Sequence, residues 1–110
     1  METGDIYYSK WMLDGGVEAT RPIIVISNTT GNELAPTILV APISPYTSKN
    51  LLPSHVKIEA GEGGLVIDSL VKVEQSLKME KSSLTQKVGS VSPEIKAKLI
   101  DSFNDINERK

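Results

Sequence analysis

The chain offers few side chains that could take part in catalysis. It contains no cysteine, one histidine (His55) and two arginines (Arg21 and Arg109), and ten lysines carry the rest of the positive charge. Without cysteine there is no thiolate nucleophile, and a zinc site would need His55 and carboxylates alone. A histidine suits general-base catalysis near neutral pH, but we favour a hydrogen-bonded structural role for His55. We therefore expect neither a metal nor a cofactor.

The charge balance limits the partners of the chain. The 110 residues carry a formal net charge of −2, and the pI is about 5.4. A general duplex-DNA-binding protein normally presents a basic face, so that function is disfavoured. A nuclease with a small local cationic site remains compatible with this balance.

Composition and length predict one folded domain over residues 1–110. Hydrophobic residues make up 39% and charged residues 24% of the chain, which is typical of a globular protein. The longest apolar runs, at 23–26 and 38–43, are too short to span a bilayer. The acidic amino terminus lacks the basic and apolar regions of a secretion signal. We therefore expect a cytoplasmic protein.

Short apolar runs separated by turn residues predict a mostly β fold. Continuous β-branched runs predict buried strands at 23–27 and 37–43, and alternating runs predict half-exposed strands at 55–59 and 70–74. The remaining predictions are a first strand at 5–11, a short last strand at 88–91, and loops at 14–20, 28–34, 44–53, 61–64 and 79–81.

The last segment predicts an amphipathic helix. Ser92 can cap it, Pro93 suits the first helical position, and Glu94 suits the positive end of the helix dipole. Five apolar residues share one helical stripe, namely Ile95, Leu99, Ile100, Phe103 and Ile106. We expect this helix to lie on the sheet or to complete a dimer interface. About six strands and one helix then make a small, SH3-like twisted β-barrel of the α+β class.

Seven segments, in order along the chain, carry a family resemblance: 4–8, 21–28, 31–32, 36–37, 40–44, 52–56 and 68–75. They resemble successive signatures of the MazF/PemK toxin family, which shares its fold with the CcdB toxins. The resemblance implies a twisted β-barrel with helices, a symmetric homodimer and a cognate antitoxin. It implies contact with DNA only through the toxin–antitoxin complex.

The resemblance also implies an activity. Toxins of this family are metal-independent, sequence-specific endoribonucleases that cut single-stranded RNA and leave a 2′,3′-cyclic phosphate and a 5′-hydroxyl. The nucleophile is then the 2′-hydroxyl of the substrate itself. That chemistry needs a cation on the phosphate, a hydrogen-bond donor for the developing charge and a proton acceptor.

By this resemblance, the catalytic candidates are Arg21, Ser44 and Glu18. Arg21 stands where the family has its catalytic arginine, and its planar fork can clamp two phosphate oxygens. Ser44 stands where the family usually has a threonine, and its hydroxyl can make the same donor contact. Glu18 could take the proton of the 2′-hydroxyl or contact a base. Without the resemblance, all three would be interpreted as ordinary surface or strand-end residues.

The residues expected to contact RNA are Thr20, Tyr46, Gln75 and Lys78. Tyr46 could stack on a base, and Thr20 replaces a glycine that usually precedes the Arg-Pro pair. An arginine that helps some relatives hold RNA is Leu77 in this chain. Lys78 or Lys81 could supply the missing charge, although a lysine cannot reproduce a bidentate grip.

Three other functions stay open: a catalytically silent relative, a CcdB-like module that binds gyrase or an antitoxin, and a regulator that binds DNA with its antitoxin. Arg21 and Ser44 favour the ribonuclease, because a gyrase-binding protein has no need of that pair. Leu77 and the short loop at 14–20 favour a loss or change of activity. Fold alone cannot decide between these functions.

Overall fold

The computed structural model describes residues 1–12, 14–27, 35–48 and 51–108. Within these residues, seven strands precede one α-helix, α1 (Pro93–Glu108). The strands are β1 (Asp5–Met12), β2 (Glu18–Ser27), β3 (Thr37–Pro45), β4 (His55–Ile58), β5 (Ser69–Lys72), β6 (Leu77–Glu80) and β7 (Leu84–Ser90). No helix in this part of the chain is long and apolar enough to cross a membrane.

The strands pair antiparallel throughout, and β3 joins the two parts of the sheet. The strand order is β4-β5-β3-β2-β1-β7, with β6 paired to β3 beside this path. The first part of β3 pairs with β2 on one side and β6 on the other, and its last three residues pair with β5. This arrangement confirms the predicted mostly β fold with a C-terminal helix. Over the described residues the strand path is not closed, and a barrel-like twisted sheet is compatible with it.

Strand β2 is buried on both faces, which explains its continuous apolar run. Ile24 and Ile26 belong to a cluster that α1 covers through the fully buried Leu99. The cluster on the other face of the sheet contains Ile23, Val25, Ile38 and Val40. Burial of each such side chain contributes about 1.5–3 kcal/mol, so β2 and β3 are firmly held together.

Helix α1 begins as the sequence predicts. Ser92 Oγ accepts the N–H of Ile95 at 3.4 Å, and the Glu62 carboxylate accepts the N–H of Ser92 at 2.6 Å. The stripe residues that pack on the core beside Leu99 are Ile95, Phe103 and Ile106. Ile100 does not join them, since it is 40% exposed. The stripe is thus used within the chain and gives no argument for a dimer interface.

Two segments predicted as loops are partly strands. Residues 18–20, within the loop predicted at 14–20, pair with residues 10–12 and extend β2. Residues 77–80 form β6, whose Leu77 and Met79 pack on the second core cluster, so the loop prediction over 79–81 is wrong for its first two residues. The alternation of β6 covers only four residues, which is too short to stand out among polar neighbours. β7 likewise begins four residues before the predicted last strand.

Other boundaries also differ from the sequence prediction. Ser44 and Pro45 belong to β3 because they pair with β5, so the loop predicted at 44–53 starts later. Strand β5 ends at Lys72, and Val73–Gln75 form a 3-10 turn in place of an alternating strand with one wet face. The strands predicted at 5–11, 23–27, 37–43 and 55–59 are confirmed, with shifted ends. The loop predicted at 28–34 lies outside the described residues.

A buried carboxylate ties the amino terminus to β7. Asp5 Oδ1 accepts the Ser90 hydroxyl at 2.6 Å, and Oδ2 accepts the N–H of Glu2 at 2.9 Å. Lys87 Nζ lies 3.5 Å from Oδ2. Burial raises the pKa of Asp5, but these hydrogen bonds and the Lys87 charge outweigh it and lower the pKa below the ordinary 3.8.

Candidate active site

The strand register brings two predicted catalytic residues to one place on the sheet. Ile23 of β2 pairs with Pro42 of β3, and the pairing of the two strands ends there, two residues from Arg21 on β2 and two residues from Ser44 on β3. Ser44 pairs in turn with Leu70 of β5. Side chains two residues apart on a strand point to the same face, so Arg21 and Ser44 share the face of the Ile23–Pro42 pair. Both residues line the same two cavities.

Two cavities meet at this pair. The residues that line both are Arg21, Pro22, Ile43 and Ser44. The first cavity, of about 410 Å³, is completed by Tyr8, Pro45, Gly64, Leu65, Val66, Ile67 and Ser69. The second cavity, of about 330 Å³, is completed by Trp11, Pro42, Lys72, Gln75 and Leu77. The Arg21–Ser44 pair therefore separates a largely apolar cavity from one that also has polar walls.

A glycine turn shapes the outer wall of the first cavity. Gly63 and Gly64 have positive φ angles of 65° and 83°, which other residues rarely adopt. The turn lies so close to β7 that a Cβ on Gly89 would collide with the Gly63 carbonyl group. It presents Val66, which is 89% exposed, and Ile67, which is 53% exposed. The rim of the first cavity is thus both apolar and accessible.

Arg21 and Ser44 are available to a ligand. Arg21 is exposed and Ser44 is half-buried. Among the described residues, neither side chain has a salt bridge or a side-chain hydrogen bond. Behind them, Ser9 Oγ donates to the Arg21 carbonyl at 2.8 Å, and Trp11 Nε1 donates to Ser9 Oγ at 2.6 Å. These bonds fix the backbone of β2 at Arg21 and hold Trp11 beside the second cavity.

Lys72 is a site residue that the sequence analysis missed. It ends β5, is half-buried, and lines the second cavity with Arg21 and Ser44. In the part of the chain that the structure describes, Lys72 Nζ has no carboxylate oxygen within 4.0 Å. Two cations thus face one cavity of an acidic protein, which favours an anion there. The only signal in the sequence is one lysine in the apolar run 70–73, and an ordinary exposed strand position fits that signal equally well.

The turn after β5 brings Gln75 to the second cavity. The Ser76 N–H and hydroxyl both donate to the Val73 carbonyl, at 3.1 and 2.6 Å, and so close the turn. Gln75 and Leu77 then line the cavity, one with an amide and the other with an apolar wall. Lys78 alternates away from Leu77, is exposed and lines neither cavity. The second cation of the site therefore comes from β5 and not from β6.

The family follows from comparison with known sequences. Residues 2–106 match the family described as a PemK-like, MazF-like toxin of type II toxin-antitoxin system. The chain belongs to this family. The endoribonuclease EndoA of Bacillus subtilis is 35% identical over 101 residues, which cover 90% of this chain and 87% of the relative. The endoribonuclease MazF of Staphylococcus saprophyticus is 34% identical over 109 residues, which cover 97% of this chain and 90% of the relative.

Solved structures agree on the fold. An endoribonuclease from a mycobacterial species, in complex with its cognate antitoxin, has a TM-score of 0.79 and 16% sequence identity, and the match covers 100% of this chain and 97% of that chain. At such low identity the likeness shows a MazF-like fold and no more. Together with the curated relatives, the comparisons support an endoribonuclease over a silent or gyrase-binding module.

In this MazF-like fold, three other predicted site residues lie outside both cavities. Glu18 and Thr20 are exposed on β2. Because strand side chains alternate, they point to the face opposite that of Arg21. Tyr46 is half-buried, and Lys57 Nζ lies 4.4 Å from the centre of its ring. The catalytic role of Glu18 and the RNA contacts of the other two stay predictions.

His55 has the hydrogen-bonded role that the sequence analysis favours. Its Nδ1 accepts the N–H of Leu52 at 3.2 Å, and its Nε2 lies 3.2 Å from Glu74 Oε2. Since Nδ1 accepts a hydrogen bond, the ring hydrogen is on Nε2, which donates a hydrogen bond to Glu74. Ser54 Oγ donates to Glu74 Oε1 at 3.0 Å. Burial raises the pKa of Glu74, but hydrogen bonds from its backbone, Ser54 and His55 outweigh it and lower the pKa below the ordinary 4.5.

Proposed function

We propose that the chain is an endoribonuclease toxin that cuts single-stranded RNA without a metal ion, with the scissile phosphate bound at the Arg21–Ser44 pair. The observation that carries the proposal is the pair of cations, Arg21 and Lys72, facing the second cavity without a carboxylate partner among the described residues. A phosphate bound there would receive a bidentate contact from Arg21, a point charge from Lys72 and a hydrogen bond from Ser44. The endoribonuclease relatives support the same assignment.

In the proposed reaction, the 2′-oxygen of the substrate attacks the adjacent phosphorus. Its proton passes to an acceptor, the bond between phosphorus and the 5′-oxygen breaks, and the 5′-oxygen takes up a proton. The products are a 2′,3′-cyclic phosphate and a 5′-hydroxyl. Negative charge grows on the non-bridging oxygens in the transition state, where Arg21 and Ser44 stabilise it as preorganised donors. Lys72 attracts the phosphate in the ground state and in the transition state alike, so it contributes mainly to binding.

The reaction requires an acceptor for the proton of the 2′-hydroxyl. Glu18 is our sequence-based prediction for that role, but it lines neither cavity. A Glu18→Gln variant tests it directly, because an amide cannot accept the proton. A large loss of kcat with unchanged RNA affinity would support Glu18, and unchanged kcat would remove it from the mechanism.

We infer that the nucleotides on the two sides of the scissile phosphate enter the two cavities. Tyr8 beside the first and Trp11 beside the second offer aromatic rings, and stacking on such rings is worth about 1–3 kcal/mol per base. Gln75 adds an amide that can donate to and accept from the edge of a base. Sequence selection should therefore arise mainly in the second cavity. The other predicted RNA contacts are Thr20, Tyr46 and Lys78.

We propose a homodimer and a cognate antitoxin as protein partners, and the cytoplasm as the place of action. The mycobacterial endoribonuclease of the same fold was solved with its antitoxin. An acidic antitoxin segment over Arg21 and Lys72 would compete with RNA for both cations. Contact with DNA would arise only through the toxin–antitoxin complex. Sedimentation at micromolar concentration should give twice the chain mass of 11.9 kDa, and a monomer alone would contradict the homodimer.

The activity is tested by incubating the purified protein with mixed-sequence RNA in excess EDTA. Mapping of the new ends should show cyclic phosphates at a recurring short sequence. RNA that stays intact with folded protein, together with specific binding of gyrase or an antitoxin, would favour the binding module instead.

A further inference from the structure

The second cavity has a carboxylate close by that could disable it. Glu74 follows Lys72 by two residues, just after the end of β5. A carboxylate free to turn toward Lys72 would form an ion pair with its amine and neutralise one of the two cations of the site. The position of Glu74 therefore matters for any anion that binds there.

Two hydrogen-bond donors hold the Glu74 carboxylate beside Ser54 and His55. Ser54 Oγ donates to Oε1 at 3.0 Å, and His55 Nε2 lies 3.2 Å from Oε2, so both carboxylate oxygens are engaged. The His55 side chain is only 7% exposed, and Leu52 fixes its other nitrogen. The Ser54 carbonyl accepts the Ser102 hydroxyl at 2.8 Å, which ties this segment to α1. The carboxylate is thus held by residues that are themselves hydrogen-bonded to Leu52 and to α1.

The sheet register places this arrangement next to the site. His55 of β4 pairs directly with Lys72 of β5, so the two residues are neighbours in the sheet. Lys72 lines the second cavity, whereas His55 lines a separate one beside α1. We propose that His55 is a positioning residue of the ribonuclease site, which keeps Glu74 on itself and Ser54 and so leaves Lys72 free for the phosphate. The inference rests on the proposed function, because it concerns the cation assigned to the phosphate. His55 touches no substrate and acts through Glu74.

Release of Glu74 should weaken RNA binding more than it slows the chemical step. Arg21 and Ser44 keep their geometry, so KM should rise while kcat changes little. Loss of one phosphate-bound cation should also reduce the slope of log affinity against log salt by about 0.7, the value for single strands. If His55 only stabilised the fold, its loss would not reduce the salt slope, and it would not raise KM while leaving kcat unchanged.

Two substitutions of His55 separate its two ring contacts. In His55→Asn the side-chain amide lies near the position of Nδ1, so it can keep the Leu52 contact but cannot reach Glu74. In His55→Gln the amide lies near the position of Nε2, so it keeps the Glu74 contact and loses Leu52. We expect His55→Asn to weaken binding of an RNA with 2′-deoxyribose at the cut position by roughly fivefold to tenfold, as for one lost charge contact. His55→Gln should change it by less than about twofold.

Removal of the Glu74 charge tests whether the effect of His55→Asn acts through Glu74. The double variant His55→Asn/Glu74→Gln should recover the affinity and salt slope of the parent, because an amide cannot neutralise Lys72. The control His55→Asn/Glu59→Gln removes an exposed carboxylate just after β4 and should recover nothing. Failure of Glu74→Gln to restore binding, or a larger loss in His55→Gln than in His55→Asn, would overturn the proposal. So would a Glu74→Gln single variant that loses kcat at unchanged affinity, since Glu74 would then act in the chemistry.

A crystal structure of His55→Asn gives a readout without RNA. We expect a Glu74 carboxylate oxygen within 4.0 Å of Lys72 Nζ, the limit for a salt bridge. A carboxylate that stays beside Ser54 would contradict the inference. A parent protein that binds RNA and does not cut it would contradict the proposed function and leave this inference standing on the binding and structural results.

Discussion

Replacing Arg21 with lysine keeps the positive charge of the site and removes only the planar fork. In the structure, Arg21 lines both cavities and has no partner among the described residues, so the whole guanidinium is free for the phosphate. A lysine offers one loosely oriented contact in its place. Loss of one preorganised donor costs about 2.7–4 kcal/mol, which is roughly a 100- to 1000-fold drop in kcat.

The same substitution should leave the stability of the fold almost unchanged. Arg21 is exposed, and it is the Arg21 carbonyl, not its side chain, that accepts the Ser9 hydroxyl. We therefore expect the free energy of unfolding to change by less than about 0.5 kcal/mol. Single-turnover cleavage of a short RNA measures the chemical step, and urea unfolding followed by circular dichroism measures stability. Lys98→Gln, an exposed charge on α1, is the control for a general loss of charge. Folded Arg21→Lys that cuts as fast as the parent would refute the assignment of the site.

Substitutions of Ser44 and Lys72 test the site, and a substitution of Asp5 tests the contact of the amino terminus with β7. Ser44→Ala should slow cleavage without unfolding the protein, because it removes the hydroxyl. Ser44→Thr should keep or modestly raise the rate, since it keeps the hydroxyl and adds only the methyl group of the threonine usual in the family. Single-turnover rates compare the two variants. Lys72→Gln should weaken RNA binding in fluorescence anisotropy and reduce the salt slope by about 0.7. The pKa of Asp5 is lowered from 3.8, so its stabilising contribution is present above that pH and is lost as pH falls through the lower folded-state value. Asp5→Asn should therefore be less stable than the parent at pH 7, and urea unfolding should show this gap closing in acid.

Local signals in the sequence predict much of the fold. The apolar run of β2 and the capped start of α1 depend on neighbouring residues, and both are confirmed. β6 was not predicted, because its alternation covers only four residues and the strand is stabilised by pairing with β3, which is distant in sequence. The exposure of Ile100 likewise depends on how α1 lies on the sheet, since helical spacing alone places it with Leu99.

The site also contains residues that the sequence predicts and residues that it does not. The resemblance predicts Arg21 and Ser44 as a pair, and the structure places both beside the same two cavities. Lys72 could not be assigned from sequence, because it reaches this place only through the pairing of β5 with the end of β3. The position of Glu18 on the opposite face of β2 also becomes visible only when the loop at 14–20 is seen to be partly strand. Non-local pairing therefore decides which charged side chains meet.

The proposed reaction takes its nucleophile from the RNA itself, at the Arg21–Ser44 pair. Its most direct test is cleavage, in excess EDTA, of two RNAs that differ only by one 2′-deoxyribose on the 5′ side of the mapped cut. We predict that the all-ribose strand is cut to a 2′,3′-cyclic phosphate and a 5′-hydroxyl, and that the substituted strand binds with similar affinity and stays intact. Efficient cutting of the substituted strand at the same position would contradict the account.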